Sequence, residues 1–286
     1  MRKQIAALLL IVLSAVAASA AQQPSPAQKE VVVFGQKIRY LEAGSGPTVI
    51  LLHGLGGSGQ NWMFTVNGLS PQFRVVVPDQ IGFGNSDKPL INYRVRTYVD
   101  FLNEFYKQLK IERASLVGNS MGGWIAAAFT IAFPEKVDRL VLADATGYAP
   151  PANFDFKSLY ALNPSTREGM KQLVARVFFN KSFSTDTVID QFLAQRMSAG
   201  DGYTINSLIE SVGRREDFLD GQLGQIKTPT LIIWGREDGL VLLSEGERLK
   251  QDIANSKLIV FDRCSHFPQV EKAGEFNAAV LEFLKQ

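Results

Sequence analysis

One serine stands among three glycines in Val117-Gly118-Asn119-Ser120-Met121-Gly122-Gly123, directly after an apolar run. A serine hydroxyl becomes a nucleophile when a base takes its proton and an acid orients that base. The chain holds two histidines, His53 and His266. Three aspartates, Asp79, Asp144 and Asp238, each follow an apolar run. Hydroxyl, base and acid together define nucleophilic acyl chemistry. Gly118-x-Ser120-x-Gly122 has the spacing of a sharp strand-to-helix turn that holds its serine above a sheet. The glycines are costly in regular structure, so their clustering implies a backbone that needs them.

The base and the acid follow from chain order. His266 gives the order Ser–Asp–His, and His53 gives His–Asp–Ser; both occur among serine hydrolases. His266 follows the last apolar run and is favoured. His53 opens the glycine-rich His53-Gly54-Leu55-Gly56-Gly57 and reads as a hydrogen-bonding loop residue. Asp238, in Trp234-Gly235-Arg236-Glu237-Asp238, precedes His266 and is the favoured acid. Asp144 is the alternative, Glu237 is the neighbour to be distinguished, and Asp79 begins a separate loop. A tetrahedral oxyanion needs N–H donors. The residue after the serine, Met121, supplies one, and Leu55 in the first glycine-rich loop supplies the other.

These residues must be carried by elements that bring them to one edge. Thr48–Gly54, Phe73–Asp79, Ala114–Asn119, Asp138–Asp144, Thr228–Gly235 and Lys257–Asp262 are continuous apolar runs. Unbroken hydrophobicity over four to eight residues marks strands buried on both faces, as in a parallel sheet. Helical patterns lie between them; one carries apolar residues at Tyr98, Phe101, Leu102 and Phe105. Two short strands around Gly35 come first. The expected class is α/β, with a mostly parallel central sheet flanked by helices. The stretch 147–224 lacks a buried strand and is rich in aromatics, among them Phe178, Phe183 and Phe192. It is expected to be a helical insertion between two core strands, with most aromatics in its own core and a few facing a pocket.

The 286 residues, 46% hydrophobic and 20% charged, are those of an ordinary globular chain, and a formal charge of +2 without a basic stripe gives no reason to expect a nucleic-acid partner. Arg2 and Lys3, the run Ile5–Val16 and small residues at Ala18 and Ala20 read as an export signal over residues 1–20. That run is shorter than the roughly 20 apolar residues of a membrane span, so no stable span is expected after cleavage; an uncleaved anchor is the alternative. Cleavage removes Arg2 and Lys3 and leaves no net formal charge. A single cysteine, Cys264, excludes an intramolecular disulfide and a cysteine-built zinc site. No cofactor and no metal are expected, and the expected partner is a small-molecule substrate of acyl chemistry.

Taken in order, HGLGG, DQIGFGNSDKP, VGNSMGG, WGREDGLV and SHFPQVE resemble the landmarks of the α/β-hydrolase superfamily over nearly the whole chain after residue 20. The resemblance implies a core over residues 21–146 and 225–286 and a cap over 147–224 that shapes the substrate pocket. It also implies Ser120, Asp238 and His266 as the triad, with Leu55 and Met121 as backbone donors. Haloalkane dehalogenases and epoxide hydrolases of this superfamily carry an aspartate where Ser120 stands, which argues against both. GNSMGG and WGREDGLV resemble hydrolases that cleave carbon–carbon bonds in ring-fission products of aromatic degradation. Those usually have tryptophan after the histidine, where this chain has Phe267, and they act inside cells. Exported carboxylesterases and lipases share the same core. Ester cleavage is therefore the first expectation and carbon–carbon cleavage the second; a weakly catalytic ligand-binding protein on this fold is a third.

Overall fold

The computed structural model describes residues 26–286. The expected signal at residues 1–20 lies outside them. Among the described residues, no helix is long and apolar enough to cross a membrane.

The chain opens with a hairpin of β1 (Ala27–Val33) and β2 (Gln36–Ala43). Its two turn residues, Phe34 and Gly35, have φ of 49° and 77°. Paired positive φ angles match the right-handed twist of the flanking strands. Then come β3 (Thr48–Leu52), β4 (Arg74–Pro78), β5 (Ala114–Asn119), β6 (Val137–Ala143), β7 (Thr230–Gly235) and β8 (Ser256–Phe261). One sheet runs β1-β2-β4-β3-β5-β6-β7-β8. β2 is antiparallel to β1 and β4, and the other neighbours are parallel.

Each parallel strand feeds two cores because successive side chains point to opposite faces. Ile50, Leu52, Leu116, Leu142 and Ile232 join one, with α2 (Val95–Gln108) and α3 (Met121–Ala132). Leu51, Val117, Val141 and Ile233 join the other, with α1 (Met63–Leu69) and the C-terminal helix Ala273–Leu284. All residues of β5 and β7 are buried. β8 is not: it is largely half-buried, because it closes the sheet at an edge. In α2 the buried face is Val95, Tyr98, Val99, Leu102, Phe105 and Tyr106. Phe101 sits at its margin, half-buried, and packs edge-on against Phe34 at 5.2 Å.

Between β6 and β7 run α4 (Arg167–Val177), α5 (Asp186–Ala199) and α6 (Gly202–Gly213). Helix α4 carries Met170, Val174 and Val177 into a small separate core with Phe178 and Ile189. Helix α6 instead puts Ile205, Leu208 and Ile209 into the main core. The segment is also tethered by charge. Arg94, before α2, grips Asp217 through Nε at 2.8 Å and a second bond from Nη2, and the Arg96 N–H adds a third at 2.9 Å. The Trp124 indole N–H donates to the Asp217 carbonyl.

Partial burial pushes the Asp217 carboxyl up, but the Arg94 guanidinium and the Arg96 N–H outweigh it and hold it below the usual range. A depressed carboxyl stabilises the fold above its unfolded value, and that stability is lost as pH falls through the folded one. D217N is therefore expected to lose about 1–3 kcal/mol at pH 7. Its Tm should fall less than that of the parent between pH 6 and pH 3, as thermal melts across that range will show.

Candidate active site

The turn between β5 and α3 is tight because backbone passes where side chains would stand. A Cβ on Gly118 would lie 2.2 Å from the Gly122 carbonyl oxygen, and one on Gly122 would lie 2.1 Å from that of Leu52. A Cβ on Gly123 would meet the Ala145 side chain at 2.4 Å. Ser120 itself has φ 57° and ψ −124°, a conformation L-residues rarely adopt. Such strain costs on the order of 1–3 kcal/mol and persists only where surroundings impose it. The Ser120 N–H donates to the Ala143 carbonyl, and its own carbonyl accepts from Gly123 and Trp124. Ser120 occupies the N-cap position of α3, yet its side chain makes no capping bond. The hydroxyl thus remains free to act from the turn.

Opposite it lies a loop with its own reason for glycine. Gly57 N–H closes a turn on the Gly54 carbonyl at 3.1 Å, with Gly56 at φ 67° as the third residue. That position asks for positive φ, which glycine supplies without strain. A Cβ on Gly54 would stand 3.1 Å from the Ser120 Cβ, so the loop passes directly over the serine. Leu55 belongs to this turn, and Met121 is the first residue of α3, where the N–H has no intrahelical acceptor.

His266 reaches the same place from the loop after β8. Its Nδ1 is 2.7 Å from Asp238 Oδ2, and both side chains are buried. The other carboxylate oxygen, Oδ1, accepts the N–H groups of Leu240 at 2.7 Å and Val241 at 3.0 Å. Burial pushes the Asp238 carboxyl up; the facing imidazole and these two donors outweigh it and hold it below the usual range. Asp238 is thus a carboxylate suited to orient an imidazole. The loop is pinned to the insertion: His266 N–H donates to Val177, and Ser265 Oγ to Arg176. Phe267 lies edge-on to the His266 ring at 5.4 Å and against Phe178.

The remaining sequence candidates sort by their partners. His53 is buried, its Nε2 accepts the Gln80 N–H at 3.1 Å, and its Nδ1 lies 2.8 Å from the Gly54 carbonyl. That pattern fixes a neutral ring with the proton on Nδ1, which braces the Leu55 turn. Burial lowers its pKa despite the Gly54 carbonyl and the charges of Asp79 and Asp201. Asp79 accepts the N–H groups of Gly59 and Asn85 and holds two loops. Glu237 turns toward the β8 side, where it accepts the Cys264 N–H. Asp144 is fully buried, with φ 45°, and stands close behind Asp238. Asp144, Asp238 and His266 have donor atoms within 4.8 Å of one another, as a metal site would. The Asp238–His266 bond and the two N–H donors engage that pair with protein partners.

Two cavities meet at Ser120. One, of about 310 Å³, is lined by His266, Phe267, Asn61, Gln195, Arg196 and the Phe178 cluster. The other, of about 360 Å³, is more apolar and runs past Met121, Trp124, Leu208, Phe218 and Val241. Leu55, Leu162 and Leu240 border both. Phe178, Phe183 and Phe192 form the insertion's own core and also wall the first cavity, whereas Tyr160, Phe179 and Tyr203 are exposed. Among the described residues lining the two cavities, Arg196 is the one Lys or Arg. It is paired with buried Asp201 and donates to the Gly56 carbonyl at 2.7 Å.

Two of these residues were missed in the sequence. Nothing in the spacing distinguishes Arg196 from the other basic residues. Asn119 was legible only as the residue before the serine; its Nδ2 donates to Ala143 and to His266, tying the ends of β5 and β6 to the histidine loop.

The model of the α/β hydrolase fold family matches residues 47–273. With the sheet order and the serine turn described above, the chain belongs to that family. It is 33% identical over 270 residues to a 2-hydroxy-6-oxo-6-phenylhexa-2,4-dienoate hydrolase of Comamonas testosteroni, covering 87% of this chain and 91% of the relative. A meta-cleavage product hydrolase from Pseudomonas fluorescens IP01 superposes with a TM-score of 0.82 at 34% identity, over 90% of this chain and 97% of that one. A bacterial membrane phospholipase A superposes with a TM-score of 0.81 at 26% identity, over 100% and 98% of the two chains.

Gly122→Ala must displace α3 from β3, at a cost of about 1–3 kcal/mol typical of overpacking, with loss of Ser120 labelling by a fluorophosphonate. Gly274→Ala, in the C-terminal helix with nothing within 4 Å of the added Cβ, should instead be neutral or stabilising. Melts and labelling rates of both variants check this.

Proposed function

We propose that this chain is a serine hydrolase that cleaves a carbon–carbon bond beside a ketone in an anionic, ring-fission-type dienone. Ser120 is the nucleophile, His266 the base and Asp238 the orienting acid. Leu55 and Met121 N–H groups receive the oxyanion, and residues 147–224 act as the cap. The observation that carries the reading is the position of Ser120 between an Arg196-bearing cavity and an apolar one. A dienoate has a carboxylate at one end, which a guanidinium matches, and an apolar group beyond its ketone at the other. The relatives of higher identity are named for substrates of this kind.

The chemistry sets what the residues must do. In the 2-hydroxy-2,4-dienoate form, breaking the C5–C6 bond would leave electrons on an alkene carbon. Moving the hydroxyl proton to C5 gives the 2-oxo form, in which those electrons delocalise through the C3–C4 alkene onto the 2-oxo oxygen. His266 then takes the Ser120 proton as Oγ attacks C6, and Asp238 stabilises the imidazolium. The C5–C6 bond breaks to leave an acyl group on Ser120, and His266 returns the proton to the departing enolate oxygen. Water, deprotonated by the same imidazole, clears the acyl group. One oxyanion donor is worth about 3 kcal/mol in other hydrolases.

Ester hydrolysis is the second reading, favoured by the full-length likeness to a phospholipase A. The same five groups would serve it, with an alcohol as the leaving group.

A 6-oxo-dienoate and a series of nitrophenyl esters, assayed side by side, separate the two. A higher kcat/KM on the dienoate is expected; turnover of esters alone would overturn carbon–carbon cleavage and leave a serine hydrolase. S120A and H266A should each lower kcat by on the order of 10⁴-fold or more on either substrate. Wild-type turnover in S120A would sink both readings.

The paired variant R196Q/D201N avoids leaving a buried carboxylate without its partner. It is expected to raise KM for the dienoate by about 10- to 100-fold, the scale of a lost charged hydrogen bond. KM for a neutral ester should change far less. Equal effects on both would remove Arg196 from substrate recognition.

A further inference from the structure

Asp144 has no task in the reaction above, yet its setting is demanding. It is fully buried at the end of β6, in the left-handed region, directly behind the acid of the triad. Oδ1 accepts the Gly235 N–H at 2.9 Å. Oδ2 is buried with no hydrogen-bond partner among the described residues' ordinary donors. A carboxyl oxygen of Asp144, one of Asp238 and a ring nitrogen of His266 all lie within 4.8 Å of one another. Asp238 Oδ1 already accepts two N–H groups, and Oδ2 accepts one, from His266. A carboxylate oxygen has two lone pairs, so Oδ2 has one to spare. Two ionised carboxylates this close in a dry site would repel strongly, and sharing one proton relieves the repulsion.

We propose that Asp144 carries a proton on Oδ2 and donates it as a hydrogen bond to the Asp238 carboxylate, as a positioning residue for the acid–base pair. The Gly235 N–H assigns the two oxygens: Oδ1 must accept, so Oδ2 is the one that donates. The consequence falls on His266. With Asp144 neutral, the imidazole faces one negative charge. With both carboxyls ionised it would face two, which disfavours the neutral ring that a base requires. The ionisable groups facing Asp144 are Asp238, His266, Cys264 and Glu271, and the acids among them press the same way. Burial, the Asp238 charge and Glu271 all push the Asp144 carboxyl up, against the single pull of the Gly235 N–H. When Ser120 gives its proton to His266, the Asp144 proton stays in place and no further transfer occurs.

The inference rests on Asp238 and His266 serving as acid and base, and its test keeps the two questions apart. The rate of fluorophosphonate labelling of Ser120 is measured against pH, which requires no natural substrate. Asn is isosteric with a protonated Asp: its Oδ1 can accept from Gly235 and its Nδ2 can donate to Asp238. D144N is therefore expected to label within about threefold of the parent, with its acid limb at the same pH. If Asp144 were ionised, D144N would remove a negative charge beside His266 and move the limb about one pH unit lower. That shift would overturn the proposal. D144L removes the donor and should slow labelling about tenfold or more, with the limb moved to higher pH. A D144L that labels like the parent would also overturn it. If D144L fails to fold, the position of the D144N limb decides alone. D238A and H266A should label at a small fraction of the parent rate. Full labelling in both would overturn the triad reading and this inference with it, whereas a shifted D144N limb beside two inert variants overturns this inference alone.

Discussion

The close approach of α3 to β3 and β5 is the constraint on which the site depends. Backbone carbonyls of Leu52 and Gly122 occupy the space a Cβ would need at Gly122 and Gly118. Only glycine allows this contact, and the contact in turn leaves no relaxed path for the chain between strand and helix. Ser120 is the residue forced into the gap, at φ 57°. The strain is small beside the burial of β5 and α3 on either side, so the packing imposes it. One steric fact therefore places a hydroxyl above the sheet and opens Met121 as a helix N-terminal donor beneath it.

Around that hydroxyl the other groups are held by separate elements whose ends are tied together. Asn119 joins β5 and β6 to the histidine loop, His53 braces the Leu55 turn, and the Asp238–His266 bond spans the loops after β7 and β8. The insertion takes part as well: Val177 and Arg176 accept bonds from the histidine loop, and Arg196 binds the Gly56 carbonyl. The inserted helices thus hold both the His266 loop and the Leu55 turn. The first cavity at Ser120 is therefore walled in part by helices already tied to these loops.

Much of this was legible in the sequence. Unbroken apolar runs reported strands buried on both faces, and the structure has them as a parallel sheet; β8 alone is softer, because a sheet edge cannot be read from one strand's composition. The helical stripe of α2 was visible, but Phe101 proved marginal, since the exact face depends on what packs against it. The resemblance to α/β hydrolases rested on five ordered motifs and proved correct at the level of family. From sequence, ester cleavage ranks above carbon–carbon cleavage largely on the export signal expected at residues 1–20, outside the described residues, and on Phe267. The relatives of higher identity are named for the latter.

By itself the sequence determined the fold, the serine turn and the three residue types brought to one sheet edge, because these follow from periodicity, glycine spacing and chain order. Only the tertiary structure decided how those residues are partnered. Whether His53 or His266 faces a carboxylate, whether Glu237 turns inward, and whether Asp144 has a free oxygen are questions of hydrogen-bond partners far apart in the chain. Arg196 belongs there too: 140 residues separate it from Gly56. Local pattern carries information over a few residues, whereas hydrogen bonding and desolvation depend on neighbours that only the folded chain brings together.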